Sequence, residues 1–212
     1  KNLLKKKQIA AKLKSGGRKY LKPSGNLNLQ RVPYGSGYRD PLYMYTTEGV
    51  VLKKLDVGEA DVLYAIYTRD YGKIRALAQG IRKGEAKLRG HLEPYSLSAI
   101  RFVIGRGGER LIAASLVSYR DNLRSRESTL RLAAAVAAAF DEHCFAGERD
   151  DNLWKLLHDS LVELDREIFF EEAEAPFLKE FQARLQAGLG YGEGRFGTSE
   201  IFMAKPARVE YY

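Results

Sequence analysis

Cysteine is almost missing from this 212-residue sequence: Cys144 stands alone. One thiol excludes an internal disulfide and any site built on several thiolates, the four-thiolate zinc site included. Histidine is scarce as well. His91, His143 and His158 are scattered, and none has a ligand-spaced neighbour. His143 beside Cys144 invites a nucleophile-pair reading, but free cysteine is among the most buried residue types, so Cys144 is expected to be a small core residue. No run approaches the roughly eighteen apolar residues of a membrane span, and the longest, Leu132 to Phe140, is mostly alanine. No apolar core follows the N-terminal lysines, so no signal peptide is expected. A reducing, cytoplasmic home fits this usage.

Acidic residues are nearly absent from one end. Residues 1–43 carry 11 Lys and Arg against Asp40 alone, a charge of +10. Residues 44–120 hold 13 basic and 8 acidic residues, or +5, and residues 121–212 hold 11 and 18, or −7. These sum to the net +8 of the sequence. A basic first half joined to an acidic second half implies different partners for each. From Ser15 the first segment becomes Gly, Ser, Asn, Pro and Lys with no sustained period, which buries too little apolar surface to offset chain ordering. It is expected to be a disordered basic arm that adds nonspecific affinity for a polyanion. The other reading is that Met44 is the natural start.

A catalytic constellation is lacking too. Glu59 and Asp61 flank Ala60 at a turn, where a carboxylate pair is usually just solvated. Gly105-Arg106-Gly107-Gly108 lacks the Gly-Lys-Ser/Thr of a phosphate loop and lies between two strand-like runs, where a hairpin turn explains it better. No enzyme activity is expected.

What is present is a series of short apolar-rich runs: Thr47 to Leu55, Asp61 to Arg69, Lys73 to Gln79, Tyr95 to Ile104 and Arg110 to Tyr119. Bounded by Gly and Asp and rich in Val, Ile, Tyr and Leu, they are strand signals. Strand side chains alternate, so Ile74, Ala76 and Ala78 share one face and Lys73, Arg75 and Gln79 the other. Five antiparallel strands with the long basic connection, Gly80 to Pro94, between the third and fourth suit a small OB-type Greek-key barrel, a fold that commonly binds oligonucleotides. An SH3-like barrel or a plain meander is the alternative.

After Tyr119 the period changes. Leu130, Ala133, Ala137, Phe140 and Cys144 mark one helix face, with Ser125 or Ser128 as cap. Gly147 stops it. Asp150 or Asp151 begins a second helix with the stripe Leu153, Leu157, Leu161, Leu164 and Ile168. Glu171, Glu172 and Glu174 before Pro176 announce a third, continued by Phe177, Leu178, Phe181 and Leu185. The class is therefore α+β: a disordered arm over 1–43, an OB-fold over 44–121, an all-α helical domain over 122–192 and a divergent or truncated tail over 193–212.

From Met44 onward the segments Met44-Tyr45-Thr46-Thr47-Glu48-Gly49-Val50-Val51-Leu52, Gly58-Glu59-Ala60-Asp61, Tyr71-Gly72-Lys73-Ile74-Arg75 and Leu88-Arg89-Gly90-His91-Leu92-Glu93-Pro94-Tyr95 resemble, in order and spacing, the bacterial recombination mediator family RecO. Phe181 to Leu185 and Leu189-Gly190-Tyr191-Gly192 resemble that family's helix and its closing turn. The resemblance implies an OB-fold and a helical domain. It also implies binding of single- and double-stranded DNA, annealing of complementary strands, and work with RecR and the tail of single-stranded-DNA-binding protein (SSB) to load RecA, in the cytoplasm beside the nucleoid. Many family members follow the Leu-Gly-Tyr-Gly turn with Cys-x-x-Cys pairs that hold zinc; here the sequence reads Glu193-Gly194-Arg195-Phe196-Gly197-Thr198, so no metal or other cofactor is expected, and no site for the SSB tail can be assigned.

The residues suit such a role. Arg82, Lys83, Lys87 and Arg89 lie in the Gly-rich connection; Lys53, Lys54, Lys73, Arg75 and Arg101 add charge from the strands. Tyr64, Tyr67, Tyr71 and Tyr95 lie among them, with Tyr71 the candidate DNA contact, because bases stack on aromatic faces in single-strand binders. Competing readings are a protein–protein adaptor whose DNA contact is incidental and an RNA-binding OB protein.

Overall fold

A 15-residue strand both opens the barrel and closes it. β2 (Tyr43–Val57) pairs with β5 (Leu97–Gly105) along Met44 to Val50 and with β3 (Asp61–Thr68) along Gly49 to Val57, so it must bend from one neighbour to the other. Gly49 sits at the hand-over, where an added Cβ would lie 2.6 Å from Ile66 Cγ2. A bulge between Val51 and Lys53 sharpens the bend. The computed structural model describes residues 30–31, 43–82, 88, 90–105, 107–167 and 170–191. The expected basic arm, apart from residues 30, 31 and 43, which are in strands, and the tail from residue 193 lie outside the described residues.

The sheet order is β1 (Gln30–Arg31), β2, β3, β4 (Gly72–Ala78), β6 (Gly108–Ser118), β5, and the β2–β5 pairing closes it. The pairings among β2 to β6 are antiparallel except one: Ala76 and Leu77 run parallel to Glu109 and Arg110. The expectation of five antiparallel strands is thereby corrected. The connection after β4 carries the chain across the barrel end before β5, so β6 returns beside β4 in the same direction. A meander would pair β4 with β5; this closed five-strand Greek key is the OB topology. The strands run close to the expected spans, β2 extending further at both ends.

Alternation divides the barrel's side chains into two cores. Val51, Val62, Tyr64, Ile66, Ile74, Ala76, Ala78, Ile100, Phe102 and Leu111 fill the interior, with Ile81 and Leu92 of the long connection closing one end. From the outer surface, Val50, Leu52, Ala65, Tyr67 and Leu97 join a second core made with the helices.

Those helices are α1 (Asp121–Ser125), α2 (Glu127–His143), α3 (Asp151–Arg166) and α4 (Glu171–Gly188). Asp150 caps α3, its side chain accepting from Asn152 N and Leu153 N. Ser125 and Ser128 do not cap α2, whose N-cap is Arg126 with no side-chain cap bond. α1 was not foreseen, being too short to show a period. α4 begins at Glu171 and places Pro176 inside the helix. Leu153, Leu157, Leu161 and Leu164 are buried as the period requires, while Ile168 lies outside the described residues.

The helices are sewn to the barrel. Ala146 forms β-bridges with Gly72 and Lys73, and Gly147 N donates to Lys73 O at 3.1 Å. Gly72 has φ +61°, and a Cβ there would lie 2.0 Å from Glu148 O, so backbone alone fits. At the junction the buried Arg120 (φ 60°) donates from Nη1 to Tyr95 O, and Arg124 donates to Pro94 O and Tyr119 O. Burial lowers the Arg120 guanidinium to about 10, with Asp165 opposing the shift.

Candidate nucleic-acid interface

Residues opposite one another across a strand pair point to the same face, so the registers map the barrel's outer surface. Val50, Tyr67 and Lys73 make one row across β2, β3 and β4. The helices cover it. The next row is Lys53, Ala65 and Arg75. Beyond that runs Leu55, Leu63, Leu77 and Arg110, across β2, β3, β4 and β6. Leu55 is 56% exposed, and Leu63, Leu77 and Arg110 are half-buried. Lys53 and Arg75 thus stand about 10 Å apart over an aliphatic strip, two strand spacings across Ala65, and Arg110 ends the strip. This is the outer face of the barrel's second and third strands, the usual oligonucleotide surface of an OB-fold.

Sequence reasoning named only part of this set. Arg75 is 61% exposed, with Nη2 3.7 Å from Asp141 Oδ1 at the border of the helices. Lys53 is exposed. Arg110 was missed: its Nη1 donates to Gln79 Oε1 at 3.1 Å, and only the parallel closure brings it beside Leu77. Arg101 is exposed between Thr46 and Ala113 on a neighbouring part of the outer surface. Lys54 is turned to the barrel end and pairs with Glu93 at 3.1 Å. Arg82 pairs with Asp56 at 3.2 Å, both half exposed or more, an arrangement that water screens. Lys83, Lys87 and Arg89 lie outside the described residues.

Two candidates are engaged within the fold, Lys73 fully and Tyr71 in part. Lys73 shares its strand face with Arg75, yet only 8% of its side chain is exposed. Its ammonium donates to Asp141 O and lies 3.4 Å from Asp141 Oδ1. The helical cover consumes it. Tyr71 is half-buried, its ring edge-on to Tyr45 at 5.4 Å and to Phe102 at 5.5 Å, and burial raises its phenol, with Asp70 adding to the effect. Tyr64 and Tyr67 are buried as well; burial, then Glu93 and Asp56, push Tyr64 up to about 12. Tyr95 packs against the helical core.

Several of the residues weighed for chemistry have structural placements. Cys144 is buried, and desolvation pushes its thiol up to about 12 despite nearby Lys73, which leaves little thiolate for attack. Asp61 Oδ1 accepts from Gly80 N at 2.8 Å and so anchors the start of the long connection. Gly105 and Gly108 are paired across the β5–β6 hairpin, as expected for a turn. Among the described residues no group of three His, Cys, Asp or Glu is placed to hold a metal ion, and no helix is long and apolar enough to cross a membrane.

Residues 43–120 match the family model "Recombination protein O N terminal". The DNA repair protein RecO of Rubrobacter xylanophilus is 31% identical over 159 residues, covering 74% of this chain and 62% of that protein. That of Pelotomaculum thermopropionicum is 31% identical over 150 residues, 70% and 56% of the two chains, and that of Gloeobacter violaceus 30% over 122 residues, 58% and 46%. The chain thus spans about half to three-fifths of the length of these relatives. With the OB topology and the match over the whole barrel, residues 43–120 form a RecO-family N-terminal domain, and the similarity to RecO proteins continues beyond it.

Proposed function

We propose that this chain acts in DNA repair by holding DNA strands on the open outer face of its barrel, without bond-making chemistry of its own. The observation that carries this reading is the strip of Leu55, Leu63 and Leu77 bordered by Lys53, Arg75 and Arg110 on the surface that OB-folds use for oligonucleotides. A polyphosphate chain lying there meets cations at spacings of one to two strands and gains affinity by counterion release. Arg101, Lys54 and Arg82 extend the positive field, and Lys83, Lys87 and Arg89 of the Gly-rich connection supply further phosphate contacts. Lys73 and Tyr71 are not part of the contact set.

The finer role follows the family resemblance: binding of single- and double-stranded DNA, annealing of complementary strands, and exchange of SSB for RecA together with RecR, in the cytoplasm at the nucleoid. Residues 44–121 act as the nucleic-acid module and 122–192 as its helical support, whose acidic surface suits protein partners better than DNA. Fluorescence anisotropy with a labelled oligonucleotide across a salt series tests the core of this reading. Affinity should fall steeply and linearly on logarithmic axes as salt rises; a flat response would contradict it. A rise in annealing rate of complementary oligonucleotides on adding the protein is expected alongside. Strong capture of RecR or SSB without oligonucleotide affinity would favour the adaptor instead.

A further inference from the structure

OB-folds that hold single strands usually do so with rings, on which successive bases stack. The described rings of this barrel are committed elsewhere. Tyr45 stacks on Phe102 with centroids 5.1 Å apart, and Tyr71 closes on both edge-on. Tyr64 is inside the barrel and Tyr67 is beneath α2, its ring 5.1 Å from that of Phe140. Tyr95 belongs to the helical core. The open face presents Leu55, Leu63 and Leu77 in the central positions where a stacking platform would have to be, with Lys53, Arg75 and Arg110 around them. Residues 83–87, 89 and 106, outside the described set, include no aromatic residue in the sequence.

This chemistry matches one part of a nucleic acid. Cations take phosphate oxygens, and short aliphatic side chains pack on deoxyribose, whereas an unstacked base would find no π-face to replace its neighbours. We propose that the open face grips the sugar–phosphate backbone alone and leaves the bases outward. The inference rests on the reading that this face binds DNA, and it specifies which part of the DNA is bound. Its substrate is any deoxyribose-phosphate chain, independent of base identity. A strand held this way keeps its Watson–Crick edges free to meet a complement, which is what annealing requires and what a base-stacking platform opposes.

The exposed rings among the described residues are Tyr119, Phe145, Phe170 and Tyr191. Arg124 already lies over the Tyr119 ring at 4.2 Å, and Phe170 and Tyr191 flank α4. Phe145 follows α2, next to the Ala146 bridge to β4; of these four rings it is the one beside a residue bridged to β4, and it serves as the control.

The experiment compares two labelled chains of equal length, oligothymidine and a fully abasic tetrahydrofuran phosphate chain, by anisotropy at fixed salt. The two dissociation constants should agree within about fivefold, because even one base stacked on a ring is worth about 1 kcal/mol or more, a factor near five. Lys53→Ala/Arg75→Ala/Arg110→Ala should weaken both chains by the same factor, and Phe145→Ala should change neither. A loss of fivefold or more on the abasic chain, or a Phe145→Ala loss confined to oligothymidine, would overturn the backbone-only grip. Failure to bind either chain would overturn the DNA-binding reading itself.

Discussion

The outer surface of this barrel has two sides made by the same strands, and they differ in what lies over them. On one side Val50, Tyr67 and Lys73 lie under α2 and its following loop; a single row away Ala65 still belongs to that core, while Lys53 and Arg75 on either side of it are exposed. Lys73 and Arg75 are two residues apart on one strand face, both approaching Asp141. One is spent on the helix end and the other is exposed to solvent. Strand parity therefore sets which way a side chain points, and the neighbouring domain decides whether a ligand can reach it.

The sharpest break of this comparison is to detach the cover. Gly72→Val puts a branched side chain at φ +61° against Glu148 O and should cost upwards of about 4 kcal/mol in urea unfolding, with loss of the α2–α3 loop's pairing to β4. Next in size, Leu157→Ala beneath the cover should cost about 2–5 kcal/mol, whereas Leu63→Ala on the open strip should cost under about 1 kcal/mol in the same assay. Lys73→Met then separates stability from binding. It removes the Lys73 donor from the Asp141 backbone oxygen, leaving the Asp141 carboxylate to Arg75 alone, and should destabilise by about 1–3 kcal/mol while leaving oligonucleotide affinity within twofold; Arg75→Ala should do the reverse.

The smallest effect at neutral pH lies in the buried acids. Tyr64 and Cys144 are both pushed up to about 12, from ordinary values of 10.0 and 9.0. Their folded values lie above the unfolded ones, so the fold retains protons that the unfolded chain loses. Their contribution to stability is full below about pH 9 and is lost as the pH rises through about 12. The melting temperature should hold level to about pH 9 and then fall; a rise over that window would contradict the burial of these groups. Tyr67, whose phenol is raised by the same burial, adds to the fall.

Much of this architecture is legible in the residues. Alternation in Lys73 to Gln79 and spacing in Leu153 to Leu164 define their elements because one face of each is uniformly apolar. The Asp150 cap is legible for the same local reason. Long-range information is what the sequence hides. Lys73 and Arg75 look identical until α2 is placed over one of them. Arg110 comes beside Leu77 only through the parallel β4–β6 closure, which no local pattern encodes. The tyrosines mislead because an amphipathic ring suits a barrel interior as well as a binding face; Tyr64, inside at Ala76's level in the ladder, and an exposed stacking tyrosine have the same sequence signature. α1, with five residues, is too short for a period and is set by contacts at the junction, where Leu123 N donates to Asp165 Oδ1 at 3.0 Å.

The most direct measurement is the salt dependence of single-strand binding for the unaltered chain, for Lys53→Ala/Arg75→Ala/Arg110→Ala and for Lys73→Met. Each lost phosphate contact on a single strand should flatten the logarithmic slope by about 0.7, so the triple variant should be shallower by about 2 and Lys73→Met unchanged. An unaltered slope in the triple variant, or the same flattening from Lys73→Met, would contradict the assignment of DNA to the open face.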